Sequence, residues 1–129
     1  MYSEEQLENN RSAWTAALRS GLFRQTTGHL EGCGGHCCLG VACVVYEEQT
    51  GVKLERDASY SIAGGALGHS DELRKVQEWL GLTTTNGDLD DGSALTELND
   101  GGTLDFKDIA DLIESNPKGL FRKQETTHV

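Results

Sequence analysis

The sequence predicts an α+β domain, mainly helical, with about five helices and one short β-hairpin. Three observations carry this expectation. Apolar residues recur at helical spacing in several separate stretches. Those stretches begin at Ser or Asp and mostly stop at Gly. One glycine-rich segment, EGCGG, lies between threonines and a Cys-Cys pair and has the composition of a reversal. The chain has 129 residues, enough for one domain that buries a core without staples.

The first helix is expected over residues 3–20. Leu7, Trp14, Ala17 and Leu18 fall near one face, Ser3 and Gln6 stand in capping-box spacing, and Gly21 is a stop. A hairpin follows, residues 23–30 against residues 36–38, with Gly32, Gly34 and Gly35 making the turn. LGVACVVY has the β-branched content of a buried strand, yet Val41, Val44 and Val45 also sit at helical spacing. Gly51 after YEEQT favours a buried helix over residues 39–49. Residues 52–68 read as irregular, with short strands.

Ser70 caps a helix over residues 71–80, with Asp71 and Glu72 in its positive first turn and Gly81 at its end. Ser93 is expected to cap a short helix reaching Asn99. Asp105 is expected to cap a last one with Phe106, Ile109, Leu112 and Ile113 inward. Residues 1–117 then form a single globular domain, and residues 118–129, polar and aperiodic, form a flexible tail. The expected core is Trp14, Leu18, Leu39, Val41, Val44, Val45, Trp79, Leu80, Leu98, Phe106, Ile109 and Ile113.

The net charge is −10, and it is unevenly spread. Residues 86–115 carry nine acidic side chains and one basic, Lys107. Such a surface repels a phosphate backbone, which makes direct nucleic-acid binding a poor expectation. Asp88, Asp90, Asp91, Asp100, Asp105, Asp108 and Asp111 are instead the candidate face for a basic protein partner. The longest apolar run, residues 39–46, is far short of the ~20 residues a membrane span needs. The opening MYSEEQLENN has neither the basic nor the apolar part of a secretory signal. A soluble intracellular protein with reduced cysteines is the expectation.

All four cysteines lie in EGCGGHCCLGVAC. Cys33, His36, Cys37 and Cys38, with His29 opposite, are the candidate zinc ligands, although tetrahedral zinc usually takes two separated ligand pairs. Adjacent Cys37 and Cys38 on a strand would face opposite ways. Cys38, near the start of a helix, is the candidate nucleophile, with His36 or His29 as base; Cys43 reads as core. ELNDGGTLDFKD, residues 97–108, echoes a calcium loop with Gly102 at the sixth position, but Gly101 replaces a ligand at the fifth and Asp108 is short for the twelfth. A helix-turn-helix explains the same residues. AGGALGHSDEL runs glycine-rich into a helix start, without the Lys-Ser/Thr of a phosphate loop. Arg19 and Arg24, beside Arg11 and His29, are the candidate contacts for a small anion such as a nucleotide signal.

WTAALRSGLFRQTTGHL, HCCLGVAC, VQEWLGL and LTELNDGGTLDFKDIADLIE, in that order, resemble a family of small proteins encoded by bacteriophages and prophages. CysCysLeuGlyVal followed by a further cysteine is the most specific part, while Cys33 and His36 are not part of the usual pattern. The resemblance implies a small helical protein with one hairpin, an accessory phage product acting in the bacterial cytoplasm. The leading functional expectation is a non-enzymatic protein that binds and blocks a host factor, in host takeover or counter-defence. A nucleotide-sequestering protein is the alternative, and a zinc-binding protein the next.

Overall fold

A computed structural model describes residues 2–27, 30–32, 34–55, 67–101 and 104–122. Five α-helices stand in the order α1 (Glu4–Arg19), α2 (Cys38–Thr50), α3 (Asp71–Leu80), α4 (Leu95–Asp100) and α5 (Phe106–Glu114). Between α1 and α2 lie β1 (Glu31–Gly32) and β2 (Gly35–His36), paired antiparallel with Glu31 opposite His36. The architecture is the expected small, mainly helical α+β domain.

Helix boundaries follow local chemistry. Ser3 and Gln6 form the reciprocal capping box at the start of α1. Ser70 caps α3 through the Leu73 amide. Asp105 and Asp108 form a second capping box on α5. Gly51 and Gly81 end α2 and α3 in the left-handed region, where an L side chain is strained. α4 differs from expectation. Its N-cap is Ala94, with no side-chain bond. Ser93 turns back instead, and both its amide and hydroxyl donate to Asp91 Oδ1.

The hairpin is smaller than predicted and gains a third partner. The segment from Arg24 to Thr26 runs parallel to His36, not antiparallel: Thr26 N donates to His36 O and His36 N to Arg24 O, each at 2.8 Å. Gly35 permits this, because a Cβ there would stand 3.0 Å from both the Arg24 carbonyl and the Thr26 side chain. The strands expected in residues 52–68 and the glycine loop before Leu67 fall mostly outside the described residues.

α2 is the central element and is buried on most sides, from Cys38 through Cys43 and again over Val45–Glu47. α1, α3, α4 and the hairpin pack around it. Trp14 is fully buried and its indole N–H donates to the Cys38 carbonyl at 2.8 Å. Tyr46 meets Trp79 edge-on at 5.7 Å. Ten of the twelve expected core residues are buried; Val44 and Leu98 are only half-buried. Leu30, Leu67, Leu82, Leu95 and Leu120, none of them expected, are fully buried.

Leu120 corrects the expected start of the tail. Thr83 N donates to Leu120 O, Arg122 N to Gly81 O and Asp90 N to Lys118 O. Residues 118–122 therefore form a strap over the chain that leaves α3, and the packed domain extends to Arg122.

The tightest constraint is at Gly40, where a Cβ would overlap the Leu30 carbonyl. Gly40→Ala is expected to cost about 3 kcal/mol or more, because backbone must move in a packed core. Gly51→Ala, with open space around it, is expected to cost about 1 kcal/mol for its left-handed backbone alone. Urea denaturation of the two variants measures the difference.

Candidate functional site

The conspicuous sequence HCCLGVAC builds the amino end of α2. Cys37 is the N-cap, and its Sγ accepts from the Gly40 amide at 3.4 Å. The Cys38 amide donates to Asn99 Oδ1 at 3.2 Å, and its thiol points to the Leu95 carbonyl at 3.7 Å. The amides that a helix start leaves without intrahelical partners are thereby satisfied by a sulfur and a carboxamide.

Asn99 is the other half of this site. It lies on α4, 1% exposed. Its Oδ1 accepts from both Cys38 N and Gln25 Nε2, the latter at 3.0 Å. Its Nδ2 donates to Thr26 O at 2.8 Å and to Asp100 Oδ1. Both lone pairs and both protons of the carboxamide are used. Gln25 also donates to Leu104 O at 3.0 Å, which ties in the chain entering α5.

These contacts decide the chemistry of the cysteines. Burial pushes the Cys37 thiol up to about 11 against the opposing pull of the Gly40 amide. Burial also raises the Cys38 thiol well above its ordinary value. Both are neutral thiols at physiological pH, the opposite of what a nucleophile or metal ligand needs. Cys38 is no accessible thiolate, and the positive helix end it adjoins is already occupied by Asn99. Cys37 and Cys38 are not strand residues on opposite faces, as predicted, but the cap and first residue of a helix. Cys43 is buried in α2, as expected.

Among the predicted zinc ligands, His29 and Cys33 lie outside the described residues. His36 has a defined setting. Its Nε2 is 3.1 Å from Glu31 Oε1, its ring meets Phe23 edge-on at 5.2 Å, and its Nδ1 is buried without a hydrogen-bond partner. Among the described residues no three His, Cys, Asp or Glu side chains gather as a metal site.

The calcium-loop reading of residues 97–108 gives way to helix-turn-helix. Glu97 and Asn99 lie within α4, Asn99 points inward, and the Asp105 and Asp108 carboxylates accept the capping bonds of α5.

The predicted anion patch is also changed. Arg19 is gripped by Asp111 and Glu114 of α5. Hydrogen bonding to these two carboxylates raises the guanidinium further, and the bond from Arg19 lowers Glu114. An incoming anion would have to displace both carboxylates. Arg24 is exposed beside β2. Arg11 is structural: Nε donates to the Leu80 carbonyl at 2.7 Å, and its guanidinium lies 3.8 Å over the Phe121 ring. With Asn10 Nδ2 on the Trp79 carbonyl at 2.8 Å, it satisfies the carboxyl end of α3. A groove of about 680 Å³ opens beside it between α1 and α5, with Leu7, Ile113 and Phe121 apolar and Glu4, Glu8 and Arg122 charged.

The acidic residues divide by employment. Asp91 is tied to Ser93, which lowers its carboxyl. Asp88 pairs with Ala94 through the backbone, and Asp90 takes the Lys118 carbonyl at its amide. Asp100 takes Asn99 Nδ2 and Asp111 takes Arg19. Even so, Asp90, Asp91, Asp100, Asp105, Asp108 and Asp111 all remain solvent-exposed.

Residues 8–117 match the family described as domain of unknown function (DUF8296). The chain belongs to this family. The matched span holds the α2 entry, Asn99 and both halves of the acidic face, and it stops before the strap. No curated protein and no solved structure matches the chain significantly.

Asn99→Ala is expected to cost about 3 kcal/mol or more, since it leaves the buried Cys38 amide and Thr26 carbonyl unpaired. Thermal and urea unfolding measure it. Because the folded Cys37 pKa lies above its ordinary value of 9.0, the neutral thiol contributes stability that is fully present below that pH. This contribution is lost as pH rises towards about 11. Cys37→Ser keeps a capping oxygen without that titration, so its alkaline loss of stability is expected to be the shallower.

Proposed function

We propose that this protein is a non-catalytic binding protein of a bacteriophage or prophage that occupies a basic host protein in the bacterial cytoplasm. The contact is the acidic surface of α4 and α5. One observation carries the reading: Glu97, Asp100, Asp105, Asp108, Asp111 and Glu114 stand exposed along two consecutive short helices. Among the described residues, Lys107 is the exposed cation within this stretch, and Arg19 from α1 pairs with Asp111 and Glu114. Such a field favours a positively charged partner and speeds the encounter. The burial of Cys37 and Cys38 supports binding over thiol catalysis. The phage origin rests on the sequence resemblance, as do the host context and the block of a host process.

The combined variant Glu97→Gln, Asp105→Asn, Asp108→Asn, Asp111→Asn removes four charges while leaving side-chain oxygens to cap α5. Affinity purification from the natural host is expected to recover a basic protein with the wild type. The variant, at unchanged melting temperature, is expected to lose most of that recovery, and added salt to weaken the wild-type complex. Equal recovery with both proteins refutes the acidic-face reading.

A second reading, zinc binding, is favoured by His36, whose Glu31 contact orients the ring as carboxylates orient metal-bound histidines. Its free Nδ1 would be the donor, and Cys33 and His29 the partners expected from sequence. Elemental analysis of protein purified without chelators decides it. Zinc bound by the wild type and lost in His36→Ala supports the reading; zinc-free wild-type protein ends it. A small-anion site at Arg19 and Arg24 is the weaker alternative, because Arg19 already holds two carboxylates.

A further inference from the structure

We propose that Asn86–Gly87 is a modification site, at which Asn86 deamidates through a succinimide and the product alters the start of α4. The pair is the chain's only Asn-Gly, and Asn86 is exposed in the segment between α3 and α4. Gly87 has φ +71°; it is buried against the Leu95 side chain but carries no side chain of its own to crowd the approach of its nitrogen to Asn86 Cγ. Its N–H makes a long bond, 3.5 Å, to the Thr84 carbonyl.

That nitrogen is the nucleophile. It attacks Asn86 Cγ, a new N–Cγ bond closes the imide, and the Cγ–Nδ2 bond breaks. Ammonia leaves with the proton that Gly87 N gives up. Water then opens the imide. Opening at Cγ yields aspartate with the main chain unchanged. Opening at the main-chain carbonyl of residue 86 yields isoaspartate, whose main chain runs through the former side chain and is longer by a methylene.

The turn matters because of what it holds. α4 has no side-chain cap. Its first amides depend instead on the two carbonyls of this pair: Leu95 N donates to Gly87 O at 2.9 Å and Thr96 N to Asn86 O at 3.3 Å. Isoaspartate shifts the Asn86 carbonyl out of that register and leaves amides of the helix start unpaired. α4 in turn carries Asn99, so the disturbance reaches the α2 entry. Aspartate keeps the register and only adds a carboxylate beside Asp88.

The test ages full-length protein at mildly alkaline pH, with urea-unfolded protein and Asn86→Ser in parallel. Mass spectrometry of the peptide holding residue 86 is expected to show amide-to-acid conversion in the folded wild type, with isoaspartate among the products and ahead of every other asparagine. The isoaspartyl fraction, separated by ion exchange, is expected to melt lower than Asn86→Ser aged beside it. If only the unfolded chain converts, the turn protects the pair and the proposal falls. If the isoaspartyl protein melts as Asn86→Ser does, the effect on α4 is refuted.

Discussion

The amino end of α2, the short helix α4 and the segment beside His36 are joined by one buried carboxamide. Asn99 uses all four of its hydrogen-bonding positions, and its partners come from the parallel strand at Gln25 and Thr26, from the first amide of α2 and from its own helix end. A buried polar group is tolerable only when satisfied. A satisfied one holds its partners in a single arrangement, since any other leaves donors unpaired. α4 has only six residues, too few to be stable on its own. It persists because Asn99, Leu95 and the loop carbonyls fix it against α2.

That arrangement explains why a cysteine-rich stretch is quiet chemically. A thiol becomes a nucleophile or ligand when it is exposed and its thiolate favoured. The amino end of α2 would supply the second condition, but Asn99 and Cys37 itself consume the amides, and burial removes the first. The sulfurs serve as small apolar packing groups with weak hydrogen bonds. Within the family-matched region, Glu97 and Asp100 of α4 and Asp105, Asp108, Asp111 and Glu114 at and along α5 are exposed carboxylates on the segment that Asn99 joins to α2. Core and candidate interface are thus the two faces of one short segment.

The candidate site was partly legible. The acidic face stood in the charge count, and it lies on the surface as composition suggests. Asn99 was hidden by its context. In ELNDGG it stands among turn-forming and acidic residues, and only a fold that brings residues 25, 38 and 99 together shows it to be inward. Arg19 reads as a free cation until α5 places Asp111 and Glu114 against it. Ser93 reads as a cap by local preference, yet Asp91, two residues away, captures it first.

By itself the sequence placed most of the helices, because their signals are local: the spacing of apolar side chains, a capping box at Ser3, caps at Ser70 and Asp105, and glycines at 51 and 81 that allow left-handed backbone. It also determined the sign of the surface charge. Only the tertiary structure decided which strand pairs with His36 and in which direction, that Gly40 must yield to the Leu30 carbonyl, and that the strap over residues 118–122 sends Leu120 into the core. Those outcomes depend on groups far apart in the chain that meet only after folding, and no spacing rule within a short window encodes such a meeting.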